Sequence, residues 1–200
     1  MRGTKKPYYM LTGIVIVMTA LLFQDCKRND HSAPKPRGYF RIDLPKKEHK
    51  QLQLNCPYRF EYPVYSKIIR DPRNIGRDCW INIHYPQFNS NIHISYKKMN
   101  NNLKKYAEDA HTLAYKHTVK AEAIKENFYR DEKRNVYGVF YELKGNVASP
   151  AQFFVTDSIN HFLRGSLYFR TVPNKDSLAP VIQFVKQDMQ HLIETLHWKN

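Results

Sequence analysis

Alternating apolar and polar side chains are clearest in the segment CWINIHYPQFNSNIHISYKK, residues 79–98. Its apolar positions are Ile81, Ile83, Tyr85, Ile92, Ile94 and Tyr96, with polar side chains between them. A period of two is typical of strands that bury one face. Polar residues at 87–91 separate the two halves. The segment therefore predicts a half-buried β-hairpin.

Other segments predict strands or extended chain before and after this hairpin. They are residues 39–45, 58–63, 136–145, 151–157 and 161–170. The sequence DSIN at residues 157–160 predicts the turn between the last two, because Asp, Ser and Asn favour turns.

Two segments repeat apolar residues at helical spacing. The first starts after a cap at Asn101 or Asn102 and extends to about Val119; its apolar positions are Leu103, Tyr106, Ala107, Ala110, Leu113 and Ala114. The second starts at a cap on Asp176 or Ser177; its apolar stripe is Leu178, Val181, Ile182, Val185, Met189, Leu192, Ile193 and Leu196. Asp188 and His191 lie three residues apart on this helix, which predicts a surface pair.

The order of these elements predicts the fold class. Strands, a helix, three strands and a helix follow one another, without the regular alternation that builds a parallel sheet. We therefore predict an α+β fold, an antiparallel β-sheet with two main helices packed on it. A chain of 200 residues is long enough for one such domain.

The first residues have the features of an export signal. Basic residues precede the apolar run at 10–23, which is shorter than the roughly 20 residues of a membrane span. An uncleaved anchor, an ordinary secretory signal and a lipoprotein signal are the alternatives. The position of Cys26 favours acylation there, although Asp25 stands where lipoproteins usually have a small residue. We predict a lipoprotein signal peptide at 1–25, a flexible tether at 26–37 and a single α+β domain at 38–200.

The chain is strongly basic. It has 32 Lys and Arg against 18 Asp and Glu, a net charge of +14. Removal of residues 1–25 leaves 29 against 17, so the domain is basic as well. Such a surface favours an acidic protein or an anionic lipid surface as partner. An exported chain is a poor candidate for binding nucleic acid. Candidate contacts to the partner are Arg164, Arg170, Lys144 and Lys186.

Aromatic residues make up 14% of the chain. They either fill two core layers, one on each face of the sheet, or emerge beside Arg and Lys as an interface. The sequence leaves both alternatives open.

Two cysteines remain once Cys26 is assigned to acylation. An even remainder in an exported protein predicts a disulfide between Cys56 and Cys79, with two buried free thiols as the alternative. The sequence contains no CxxC motif, which argues against a structural zinc site.

His84 and His93 lie on the polar side of the predicted hairpin. If Tyr85 pairs with Ile92, the two imidazoles face each other across the strands, close enough to share a metal ion. A third ligand is not evident in the sequence, and two exposed or packed histidines are the alternative.

Sequence motifs of catalysis are missing. The chain contains no GxSxG, no HExxH and no phosphate-binding glycine-rich loop. We therefore predict a non-catalytic protein without a cofactor. The alternative is a periplasmic enzyme or metal-binding protein that uses His84 and His93.

Five segments carry a resemblance to a known family. They are NCPYRFEYP, CWINIHYPQFNSNIHISYK, NNLKKYAEDAHTLAYKHTVKA, YGVFYELKGNVASPAQFFVTDSINHFLRGSLYF and VKQDMQHLIETLHWK. Together they resemble the GldD family of gliding-motility lipoproteins of the Bacteroidota. The layer order is also similar to that of the PsbP/Mog1-type α/β/α sandwich, an analogy of fold alone.

The resemblance implies an accessory role in the gliding machinery and the linked type IX secretion system. It implies an acylated Cys26, carrying palmitate or a similar chain, and no catalytic residues. Lys27 follows the cysteine where an Asp would favour the inner membrane, so we predict an anchor in the outer membrane that faces the periplasm.

Overall fold

The computed structural model describes residues 41–70, 79–116 and 120–199. In chain order its elements are β1 (His49–Gln51), β2 (Tyr58–Arg59), β3 (Glu61–Pro63), β4 (Lys67–Arg70), β5 (Ile81–Tyr85), β6 (Ser90–Lys98), α1 (Leu103–Tyr115), β7 (Ala121–Asp131), β8 (Val136–Gly145), β9 (Ala151–Thr156), β10 (His161–Phe169), α2 (Lys175–Glu194) and β11 (His197–Trp198). Seven strands form one sheet in the order β4-β5-β6-β10-β9-β8-β7, and neighbouring strands are antiparallel. The predicted α+β fold is confirmed.

Helix α2 covers one face of this sheet. Its buried apolar side chains are Val181, Phe184, Val185, Met189, Leu192 and Ile193. They pack against the inward residues of the central strands, among them Ile83, Ile92 and Leu163. Full burial of one such side chain stabilises the fold by about 1.5–3 kcal/mol. This layer is therefore the main core of the domain.

Helix α1 covers part of the opposite face. It buries only Ala110 and Ala114, whose small side chains allow the helix to lie close to β9 and β10. The neighbouring residues Phe153 and Phe154 of β9 point into the α2 core and the α1 core respectively. The layers are thus α/β/α. Aromatic side chains fill both cores, although Phe128 on β7 remains 81% exposed.

Two small sheets extend the structure beside the seven-stranded one. Strand β1 pairs with β3, and β11 pairs with β2. A disulfide joins Cys56 to Cys79, with their Cα atoms 5.5 Å apart, and confirms the predicted pairing. The N-terminal arm, which we define as residues 41–51, has strand structure only at β1. Of the two alternatives expected at 39–45, a strand or extended chain, residues 41–45 carry no strand structure.

The longest strand, β7, was not expected from the sequence. Among the described strands it lies at the sheet edge and pairs with β8 alone. Its 11 residues AEAIKENFYRD have no fully buried side chain. A strand without a buried face does not need alternating apolar and polar residues. Hydrophobic periodicity therefore does not predict it.

The ends of both helices differ from expectation. Asn102 is the N-cap of α1, as predicted, but its side chain accepts no hydrogen bond from the helix. The N-cap of α2 is Asn174, whose Oδ1 accepts a hydrogen bond from the Ser177 amide at 3.2 Å. The caps predicted at Asp176 and Ser177 are therefore wrong. Helix α1 ends at Tyr115 rather than near Val119.

The expected signal peptide, the tether and Cys26 lie outside the described residues. Contacts group residues 39–200 into one compact unit. Within the described ranges, neither helix combines the length and the apolarity that a membrane crossing requires.

Candidate functional site

A cleft opens between α1 and the part of the sheet that this helix leaves uncovered. Its volume is about 300 Å³. We call it the α1 cleft. The residues that the argument uses are Asn82, His93, Ser95, Arg164 and Ser166 on the sheet and Tyr106, Asp109, Leu113 and Phe162 around them.

Strand register explains why the floor of the cleft is polar. Asn82, His93, Ser166 and Gln152 occupy matching positions on four neighbouring strands, β5, β6, β10 and β9. They form one row across the sheet, on the face opposite the α2 core; the first three line the α1 cleft, and Gln152 continues the row beyond its lining. Ser166 and Gln152 are 2% and 1% exposed. Buried polar side chains such as these two are unusual beside an apolar layer, and they mark the cleft as a candidate binding site.

Arg164 lies next to this row. Its guanidinium donates a hydrogen bond to Oε1 of Gln152, which is a neutral partner. Burial lowers the pKa of Arg164, and the nearby Tyr168 partly offsets this effect. Within the described ranges, no carboxylate lies at ion-pair distance from the guanidinium. The cleft therefore has a partly desolvated positive charge at its floor.

The predicted pairing of His84 with His93 is wrong. Tyr85 pairs with Ser90 rather than Ile92, so His84 lies opposite Asn91 and His93 opposite Asn82. Each Nδ1 contacts the Oδ1 of its asparagine, at 2.8 Å for His84 and 2.5 Å for His93. A turn of 3-10 helix at Pro86–Phe88 and the left-handed Asn89 shorten the connection.

Metal binding by these histidines consequently lacks the expected geometry. No group of three His, Cys, Asp or Glu side chains in the described ranges could hold a metal ion. Binding by the two histidines alone stays a prediction.

The four cations proposed as partner contacts do not share one surface. Lys186 forms an ion pair with Glu142 inside the domain, where its side chain is 13% exposed. Arg164 belongs to the α1 cleft. Lys144 and Arg170 are exposed, near the ends of β8 and β10. These two strands are both antiparallel to β9, so both residues lie at the same end of the sheet.

A second polar cluster lies on the α2 side. The carboxylate of Asp188 is 1% exposed and forms an ion pair with Lys47 of the N-terminal arm. Lys47 also donates a hydrogen bond to the carbonyl oxygen of Phe184 at 2.7 Å. We call this contact the arm latch, since it joins the N-terminal arm to α2. The surface pair expected between Asp188 and His191 is wrong, because Asp188 is buried and His191 instead contacts Glu61 at 2.8 Å.

His49 completes the arm latch. Its ring stacks on that of His191 with centroids 3.8 Å apart, and its Nε2 is 3.7 Å from Asp188. Burial lowers the pKa of His49, His191 and Lys47 lower it further, and Asp188 opposes them. The latch thus holds neutral imidazole more readily than imidazolium.

Sequence reasoning missed Lys47, Tyr65 and Gln152 as members of these sites. Among the residues of the two sites, only Asp188 has a sequence position that indicates a buried polar contact. It stands between Val185 and Leu192 in the apolar stripe of α2, where a charged residue must find a buried partner. Its partners come from more than 120 residues away in the sequence, so spacing alone could not identify them.

One of three comparisons with known proteins, the match to a family model, agrees with the resemblance. No curated protein matches the chain. Among solved structures, the chain is similar to cyanobacterial PsbP (CyanoP) from Synechocystis sp. PCC 6803, with 10% identity, a TM-score of 0.47, and coverage of 79% of this chain and 96% of that one. The family model of gliding motility lipoprotein GldD matches residues 29–198. That match includes every strand and both helices, and the chain therefore belongs to the GldD family of gliding motility lipoproteins.

Proposed function

We propose that this lipoprotein is a non-catalytic accessory component of the gliding machinery and of the type IX secretion system linked to it. A lipid on Cys26 holds it at the periplasmic side of the outer membrane. The family match over residues 29–198 is the observation that carries this proposal. A tether of this kind confines the domain to the membrane surface and raises its effective concentration near its partners.

The arm latch supports a tethered role. The N-terminal arm is the first described segment after the predicted tether, and several contacts fasten it to the domain. Among them are the ion pair of Lys47 with Asp188 and the pairing of β1 with β3. Any force along the tether would therefore reach the core helix α2.

The partner is an acidic protein or an anionic lipid surface at the membrane. Lys144 and Arg170 are the two proposed contacts that remain exposed, at one end of the sheet. Contacts between exposed charges weaken as salt screens them. We therefore expect the association to decrease as the salt concentration rises.

A crosslinked pull-down of the tagged lipoprotein from native membranes, read by mass spectrometry, tests the proposal. We expect enrichment of gliding and type IX secretion proteins, and loss of that enrichment in Cys26→Ala. The double variant Lys144→Ala/Arg170→Ala should reduce it, whereas Lys104→Ala/Lys105→Ala, on the exposed side of α1, should not. Recovery of the protein alone from wild-type membranes would contradict the accessory role.

A further inference from the structure

We propose that the α1 cleft binds the carboxylate group of a ligand with an apolar body, such as a small organic acid or the chain terminus of a peptide. The carboxylate would lie against Arg164, and the apolar body against Tyr106, Leu113 and Phe162. The cleft volume of about 300 Å³ is at the lower end of the range for small-molecule sites. This proposal does not depend on the identity of the gliding partners.

Hydrogen-bonding capacity at the floor of the cleft is the main argument. A guanidinium has five N–H donors and cannot accept. Arg164 uses Nη2 towards Oε1 of Gln152. The cation thus retains most of its donors while burial removes part of its hydration. An anion is the group that would satisfy them best.

Gln152 lies beside the cleft, outside its lining, and contacts Arg164 from there. Because Arg164 can only donate, it must face the oxygen of the Gln152 amide, and this fixes the orientation of the amide. The Nε2 of Gln152 is then a buried donor without a partner among the described residues. Leaving such a donor unsatisfied costs roughly 1–3 kcal/mol.

The rest of the cleft indicates what kind of anion would fit. Tyr106 and Phe162 lie with ring centroids 5.5 Å apart and present an apolar wall. Lys97 lies over the Tyr106 ring, 4.3 Å from its centroid, so its charge is held at the wall. Asp109 is exposed at the rim. Arg164 and Lys97 against Asp109 leave one net positive charge in the lining. The planar guanidinium matches a planar carboxylate, so the cleft favours an anion of single charge over a phosphate dianion.

Isothermal titration of the mature lipoprotein in detergent tests the proposal with four probes. They are N-acetyl-L-phenylalanine, its uncharged amide, the peptide Ala-Ala-Phe with a free carboxyl end, and phenyl phosphate. The amide has the same apolar body, so it controls for partition into micelles. We expect the acid to bind about 10- to 100-fold more tightly than its amide, the range expected for a hydrogen bond to a charged group.

Variants assign the binding to the cleft. Arg164→Gln should abolish the preference for the acid, whereas Arg130→Gln, an exposed arginine paired with Glu132, should keep it. Because Arg164→Gln could disturb folding, a second variant leaves the floor intact. Leu113→Trp on α1 should narrow the cleft and weaken binding of the acid, whereas Thr112→Trp, exposed on the same helix and not part of the lining, should not.

The results of the titrations distinguish the two sources of the carboxylate and show whether the proposal holds. Tighter binding of Ala-Ala-Phe than of the acetylated amino acid would identify a chain terminus as the source of the carboxylate, and weaker binding a small free acid. The proposal is overturned if no probe binds at about 10 mM, if acid and amide bind equally, or if phenyl phosphate is preferred. None of these results would bear on recovery of the gliding proteins in the pull-down.

Discussion

The phenolic oxygen of Tyr65 lies 3.0 Å from both carboxylate oxygens of Asp188. This contact brings the residues that follow β3 to α2, where Lys47 of the N-terminal arm meets the same carboxylate. Burial and the charge of Asp188 raise the pKa of Tyr65 well above its ordinary value, so the phenol stays a donor. The carboxylate of Asp188 in the arm latch is therefore a buried charge, and Lys47 and Tyr65 donate hydrogen bonds to it from distant parts of the chain.

Removing both members of the latch should destabilise the domain by less than the sum of the two single losses. Asp188→Leu leaves the ammonium of Lys47 half-buried without its counter-charge, and Lys47→Met leaves the carboxylate with fewer donors. We expect each to lower the free energy of unfolding by about 3 kcal/mol, and the double variant to cost clearly less than the sum. Urea denaturation measures all three values.

The exposed pair of Lys104 with Glu108 is the control for this cycle. Its side chains are 90% and 66% exposed, so Lys104→Met and Glu108→Leu should each change stability by at most about 0.5 kcal/mol. Strictly additive losses at Lys47 and Asp188 would show that the two charges do not interact.

His49 should make the free energy of unfolding decrease as the pH falls. The folded state lowers the pKa of His49 below its ordinary value of 6.5, mainly through burial and the stacked His191. Above pH 6.5 both states are neutral there and the fold keeps its full stability. As the pH falls below that value, the unfolded chain binds the proton first and the free energy of unfolding decreases.

Thermal unfolding between about pH 7.5 and 5 measures this effect. His49→Gln should flatten the acid slope. Burial also lowers the pKa of His161, so His161→Gln should flatten it too. An unaltered slope in His49→Gln would contradict the prediction.

Arg134 should stabilise the end of α2. Its Nη1 donates hydrogen bonds to the carbonyl oxygen of Ile193 in the last turn of α2, at 3.1 Å, and to that of Leu196 just beyond the helix, at 3.0 Å. We expect Arg134→Ala to lower the free energy of unfolding by about 2–3 kcal/mol. Arg130→Ala, which loses only an exposed contact to Glu132, should cost at most about 1 kcal/mol. Equal losses in urea denaturation would exclude the capping role.

The disulfide should contribute measurably to stability. It closes a loop across a sequence separation of 23 residues. The chain-entropy estimate for such a loop is about 3 kcal/mol. We expect Cys56→Ser/Cys79→Ser to lose about that amount in urea denaturation, and reductant to destabilise the wild type but not the variant. A wild type that is insensitive to reductant would contradict this.

Gly165 should tolerate alanine only when Phe153 is made smaller. A Cβ atom at Gly165 would overlap the Phe153 ring, which belongs to the neighbouring strand of the α2 core. We expect Gly165→Ala to destabilise by about 1–3 kcal/mol and Phe153→Leu to recover part of the loss when combined with it.

Gly138 provides the contrast for this rescue. A Cβ there would overlap the backbone oxygen of Phe154, which no side-chain substitution removes. Gly138→Ala should therefore stay destabilised in a Phe153→Leu background. Thermal unfolding of the single and double variants compares the two positions. A similar recovery at both would show that the loss at Gly165 does not come from the ring.

Local patterns in the sequence determined much of this protein. The alternation around Ile83 and Ile92 predicted the hairpin, and the stripe of α2 predicted its buried face. These features follow from the periods of strands and helices, which any half-buried element must show. The sequence also indicated the family, because the segments that resemble it extend over most of the domain.

Tertiary structure alone decided register and distant partners. A slip of two residues at Tyr85 leaves the pattern of buried and exposed faces unchanged, so periodicity could not place His84 against Asn91 rather than His93. The contacts of Asp188 with Lys47 and of Arg164 with Gln152 likewise carry no local signal. Hydrogen bonds and ion pairs depend on distances that only the folded chain sets. Both polar sites of this lipoprotein are therefore products of strand order and helix placement.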